Sequence, residues 1–219
     1  MSLFTPSNPI VGSLLGDRDT GVAETGNYFT ALTPTPGTGI IGHAAPTTFD
    51  QTKAYFLLYN PGPLNVYPLY MRLHTTVVSA GDTTGPIFWT QVIDAGNRFS
   101  SGGTNLTPNS VNLASGPKSL SVITVGAVVC STNSGTSRTI GHNTFHPGTI
   151  DVLHDQYDFL WGAPQAVSFN LLPTTTASHL AAVFAPVVIQ PNSSFLIHQW
   201  AAGQSTGPTL EIEFGFIEK

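Results

Sequence analysis

Four groups of residues in this chain have types and spacings that could do chemistry. The first is the stretch DAGNRFSSGGTNLTP, residues 94–108, which sets Gly96, Gly102 and Gly103 around Arg98 and several small hydroxyl side chains. Glycines beside a cation can cradle a phosphate. That loop, however, needs a lysine after its glycines and a helix N-terminus whose N–H groups face the anion. No lysine follows here, and no helix is predicted. The stretch reads instead as two turns, DAG and SGG, joined by a short bridge that presents Arg98 and Phe99. Arg98 is left to pair with Asp94 or with a neighbouring subunit.

The second group is the histidines. His142 and His146 lie four apart in GHNTFH, with Asp151, His154, Asp155 and Asp158 following. On a helix that spacing shares a face and suits a metal. On a strand the two rings stand about 13 Å apart, and Pro147 and Gly148 argue against helix. The histidine pair and following glutamate by which cupin jelly rolls hold a metal are missing too, so no metal or cofactor is expected. The third group is the carboxylates. Glu211 and Glu213 share the outer face of the last strand, where a solvated or subunit-facing role is ordinary; a glycosidase needs two carboxyl groups flanking a sugar. The aspartates lack calcium-loop spacing, and no GxSxG elbow is present. Cys130 ends an apolar run with no cation near it in sequence and reads as a buried, inert thiol. The fourth group is the aromatics Tyr67, Trp89 and Trp200, which could form a platform for a sugar or equally serve in a core or an interface. No catalytic residue is assigned, and the chain is not expected to be an enzyme.

The elements that must position these residues are strands. From Lys53 onward, short apolar runs alternate with turn signals about every ten residues, which marks an all-β sandwich or barrel. AYFLLYN, PIFWTQVID, SLSVITVGAVVC, SRTIGHNTF, YDFLW, AVSFNLL and FLIHQWAA are such runs. In LNVYPLYMRLHTTVV, Tyr70, Arg72 and His74 fall on one face, Met71 and Leu73 on the other. In TLEIEFGFIE, Leu210, Ile212, Phe214 and Phe216 face one way and Glu211, Glu213 and Gly215 the other, the period of a half-buried strand. TASHLAAVFA fits helix or strand. Long irregular crossings between two sheets point to a jelly roll. Residues 1–50 differ: proline, glycine and threonine recur without a period, so this segment reads as an extended, irregular arm, ordered by Tyr28, Phe29, Leu32, Ile40 and Ile41 or partly disordered. The expected organisation is an arm over residues 1–50 and a jelly-roll-like β-sandwich over residues 51–219.

Composition narrows the function classes. Of 219 residues, 41% are hydrophobic and only 9% charged, against a typical quarter charged. A soluble monomer surface usually carries more charge, so part of this surface is expected to be covered by other subunits. The net charge is −5 and the basic residues are scattered, which argues against nucleic-acid binding. No apolar run reaches the length of a membrane span. The first residues lack the pattern of a secretory signal, and a single cysteine suits synthesis in a reducing cytoplasm.

The segments DAGNRFSSGGTNLTPNSVN, RTIGHNTF and APVVIQPNSSFLIHQW and the closing LEIEFGFIEK resemble small structural proteins of tailed bacteriophages, over most of residues 25–219. In that family a jelly-roll-like domain trimerises on the outside of the capsid as a decoration, or cement, protein. The resemblance implies a homotrimer on the virion surface, made in the host cytoplasm, whose partner is the major capsid protein. It carries over no catalytic residue. The expected contacts with subunits or shell are Phe4, Tyr28, Phe29, Leu32 and Ile40 of the arm, with Arg98 and Phe99. The alternative is a trimeric head-fibre or receptor-binding module that recognises a host surface glycan.

Overall fold

The structure, a computed structural model, describes residues 22–81, 86–113, 118–133, 135–145, 152–162, 179–201 and 203–219. Phe4, His146, Asp151 and the AVSFNLL run lie outside the described residues. Among those described, the strands are β1 (Tyr28–Leu32), β2 (Ile40–Ile41), β3 (Lys53–Asn60), β4 (Val66–Val77), β5 (Ile87–Ala95), β6 (Phe99–Leu106), β7 (Pro108–Ser110), β8 (Val122–Cys130), β9 (Arg138–Phe145), β10 (Gln156–Trp161), β11 (His179–Phe184), β12 (Ser193–Trp200) and β13 (Thr209–Glu218).

They form two packed sheets. The first runs β11-β10-β4-β13-β1-β7, with β2 also on β13; the second runs β6-β8-β3-β12-β5-β9. Eight of these strands make the frame: β1-β13-β4-β10 faces β3-β12-β5-β9, and the chain passes between the two layers in the double Greek-key order of a jelly roll. The remaining strands extend the edges.

The core follows from alternation. Met71 and Leu73 of β4 and Leu210, Ile212, Phe214 and Phe216 of β13 point inward and are buried. They meet Phe56, Phe195, Trp89, Tyr157, Phe159 and Trp161 in one apolar cluster between the sheets. Aromatic edges and faces interlock there: Phe56 packs on Phe214 at 4.8 Å, and Trp161 stands edge-on to Phe195 at 5.5 Å.

Two sequence expectations change and one open alternative is resolved. The jelly roll starts upstream of residue 51, because β1 is an interior strand of the first sheet, paired with β13 on one side and β7 on the other. Helix and strand stood open for TASHLAAVFA; His179–Phe184 is a strand, drawn onto the free edge of β10 in parallel register. And residues 94–108 are not a double turn. A turn exists at Gly96, whose φ is 81°, but the SGG segment lies inside β6, paired with β8 through two bulges. A Cβ on Gly103 would meet Thr124 Cγ2 at 2.7 Å and Val125 O at 2.9 Å. Glycine is therefore required there by close approach and by a φ of 70°. The bulges twist this edge strand and blunt its unpaired side against stray strand addition.

Candidate functional site

The outward residues of β1, β13, β4 and β10 assemble a charged ladder. Register pairs Glu213 with Arg72 and Glu211 with His74, and pairs Arg72 with Asp158 and His74 with Gln156. Leu32 of β1 lies opposite Glu213. Arg72 sits between two acids: its Nε donates to Asp158 Oδ1 at 3.2 Å, and its Nη1 lies 3.6 Å from Glu213 Oε2. The Tyr70 hydroxyl donates to Glu213 Oε1 at 2.6 Å. His74 Nδ1 meets Glu211 Oε2 at 3.1 Å, while the Gly37 N–H donates to the other oxygen of Glu211. His154, at φ 69°, stacks its ring on His74 at 5.5 Å.

Gly215 lets this face close up. A Cβ there would come within 2.2 Å of the Tyr70 ring, so the ring lies down on bare backbone. Beside the ladder, Leu32, Thr33 and Pro36 wall a groove of about 250 Å³ whose other side is Arg72, His74, Glu211, Ile212 and Glu213.

The electrostatics argue against Glu211 as a general acid. The bond from His74, with help from the Gly37 N–H, holds Glu211 below the usual carboxylate range. Burial and the Glu213 carboxylate push the Tyr70 phenol up, so it stays a donor. A general acid needs a carboxyl whose affinity for its proton is raised; the hydrogen bonds to Glu211 work in the opposite direction. Among the described residues, no three His, Cys, Asp or Glu side chains converge to hold a metal ion.

The sequence-derived contact residues separate into three groups. Tyr28 and Leu32 lie on the ladder face: Tyr28 acts on the Tyr70 phenol, and Leu32 walls the groove and is 48% exposed. Phe29 is core, stacked on Phe216 at 5.5 Å, and Ile40 packs against the same core. Phe99 is exposed on β6, whereas Arg98 is buried. The Arg98 Nη1 donates to Asp94 Oδ2 at 2.6 Å, its Nε to Ser131 O at 2.9 Å and its Nη2 to Gln51 O at 3.1 Å. Of the two partners open to Arg98, Asp94 is the one it takes. It clasps a crossing of the chain and offers little to another molecule.

Two further readings are settled by burial. Trp89 is core, edge-on to Tyr55 and Phe159, and cannot belong to a surface platform. Cys130 is buried, and desolvation pushes its thiol up to about 11. Sequence reasoning missed the ladder as a unit. It put Tyr70, Arg72 and His74 on one face and Glu211 and Glu213 on another, but His74 and Glu211 are 137 positions apart, and nothing local says that β4 and β13 are neighbours.

No family model matches this chain, and neither the curated proteins nor the solved structures yield a match.

Proposed function

We propose that this protein is a non-enzymatic structural component of a virion: a homotrimer that binds the outside of a phage capsid, contacts the major capsid protein and stabilises the shell. The observation that carries the reading is the make-up of the ladder face. Exposed apolar side chains, Leu32 at 48%, Ile41 at 57% and Val77 at 56%, flank Arg72 and three tyrosines, Tyr28, Tyr67 and Tyr70, none of which is fully buried. Register places Ile41 and Val77 on either side of Thr209, next to the Glu211 pair. Tyrosine and arginine beside apolar surface is the composition of interface hot spots. A chain with 9% charged residues also supports large covered surfaces. Leu32, Tyr28 and Arg72 would make the contacts; Phe29 and Ile40 hold β1 and β2 in place to present them. Phe99 lies on a separate edge.

The mechanism is linkage. A protein that binds only the assembled lattice, bridging several subunits, adds its binding free energy to the shell. The test is to mix purified protein with undecorated mature heads. The protein should sediment as a trimer, bind the heads and raise their thermal or osmotic resistance, and Leu32→Asp with Arg72→Ala should abolish binding while the domain stays folded. A monomer that leaves the heads as fragile as before would overturn the proposal.

A further inference from the structure

The outer face of the second sheet carries a different kind of surface. Trp200 of β12 pairs in register with Phe88 of β5, and their rings stack at 4.0 Å with 15° between planes. His142 of β9 joins them, 5.8 Å from Phe88 and 16° from parallel. Beneath the rings, the Thr90 hydroxyl, on a residue only 6% exposed, ties two of them down. Trp200 Nε1–H donates to Thr90 Oγ1 at 3.1 Å, and Thr90 Oγ1 lies 3.1 Å from His142 Nδ1. Beyond this anchor the His142 side chain is exposed. The rings are thus oriented before any ligand arrives, which lowers the ordering cost of binding. Along β12, Phe49, 43% exposed, stands edge-on to His198 at 5.1 Å and continues the apolar surface. Thr144, opposite Phe88 in register, adds an exposed hydroxyl at the rim.

We propose that this shelf is a glycan-binding site and that its ligand is a neutral pyranoside chain. Phe88 and Trp200 stack their faces on each other, so their ring edges, with the exposed His142 and Phe49 side chains, offer apolar surface to the C–H face of a sugar, while the Thr144 hydroxyl sits at the rim for its ring hydroxyls. Three neighbouring strands span about 10 Å, enough for a short run of sugar rings. The residues forming the shelf, Phe49, Phe88, Thr90, His142, Thr144 and Trp200, include no Lys, Arg, Asp or Glu. An acidic sugar or a nucleic acid would need a cation there for its charge; a neutral sugar does not. The site lies on the sheet opposite the ladder face and does not depend on the capsid reading.

The experiment uses the full-length protein against maltohexaose, cellohexaose, chitohexaose and purified bacterial O-antigen polysaccharides on an array, with titration calorimetry on those that bind. At least one neutral probe should bind. Trp200→Ala should weaken that binding tenfold or more, and His142→Ala and Phe49→Ala several-fold each. Arg72→Ala, on the opposite sheet, should leave it unchanged while losing the heads. His142 and Phe49 are exposed, so these two variants carry the test if Trp200→Ala fails to fold. Binding of none of the probes at millimolar concentration would overturn the proposal, as would wild-type affinity in the folded variants. A Trp200→Ala protein that loses its trimer or its grip on the heads, with sugar binding unchanged, would assign the shelf to a protein interface and overturn it equally.

Discussion

Two arginines in this chain both face carboxylates, and they do opposite jobs. The Arg98 side chain is 3% exposed and its partner Asp94 is fully enclosed. Three of its nitrogens donate within the domain, and Asp94 takes a further bond from the Thr136 hydroxyl at 2.8 Å. The Arg72 side chain is 48% exposed and leans on two acids at the surface, with N–H groups left over for another molecule. A buried pair that is fully hydrogen-bonded fixes a chain crossing, and removing one member strands a charge out of water. An exposed pair contributes little to folding, because water screens it. Of the two, Arg72 is the one left exposed enough to meet another molecule, although Arg98 stands in the more conspicuous stretch of sequence.

The sharpest way to break this contrast is to remove each guanidinium in turn. Arg98→Ala should cost about 3–5 kcal/mol, read as a fall in the urea midpoint, because Asp94 is left charged and enclosed. Adding Asp94→Leu should recover part of that loss. If Arg98→Ala melts like the wild type, the clasp is not structural.

The second test probes the burial around that clasp. His198 is 1% exposed, and desolvation pulls it down to about 4, partly opposed by its bond to Lys53 O. Its folded value lies below the reference of about 6.5, so between those two pH values the unfolded chain takes up a proton that the folded chain refuses. Stability is therefore complete above about pH 6.5 and falls as the pH is lowered to about 4, by roughly 3 kcal/mol. Urea midpoints measured across that window should show the slope, and His198→Gln, which does not titrate, should flatten it. An equal slope in both proteins would place the titration elsewhere.

Arg72→Ala should be the mildest of the three: at most about 1 kcal/mol in stability, shrinking further in high salt, beside complete loss of head binding. A stability loss as large as that of Arg98→Ala would erase the distinction between the two sites.

Much of this architecture was legible residue by residue. Period-two alternation in β4 and β13 gave the inward and outward faces correctly, because side-chain direction in a strand is a local property. The density of turn signals gave a sandwich for the same reason. The burial of Cys130 followed from its apolar run, but the pairing of β6 with β8 brings Arg98 near a thiol that has no cation close to it in sequence. Reading failed where position in the chain and position in the sheet part company. β1 is five residues in a proline- and threonine-rich segment, and distant partners, β7 and, more than 180 positions later, β13, make it a strand. The SGG glycines look like a turn because turns need positive φ, yet here a bulge against β8 needs it. Trp89 and Trp200 come from equally aromatic runs; sheet packing sends one into the core and leaves the other half-buried on the outer face, stacked on Phe88. The ladder and the shelf each join side chains from distant strands. Chain order and local periodicity thus fix which residues form strands and which way each points. Which strands become neighbours is decided by the long-range pairing of the jelly roll, and with it whether an arginine is enclosed by its partners or left at the surface to meet another molecule.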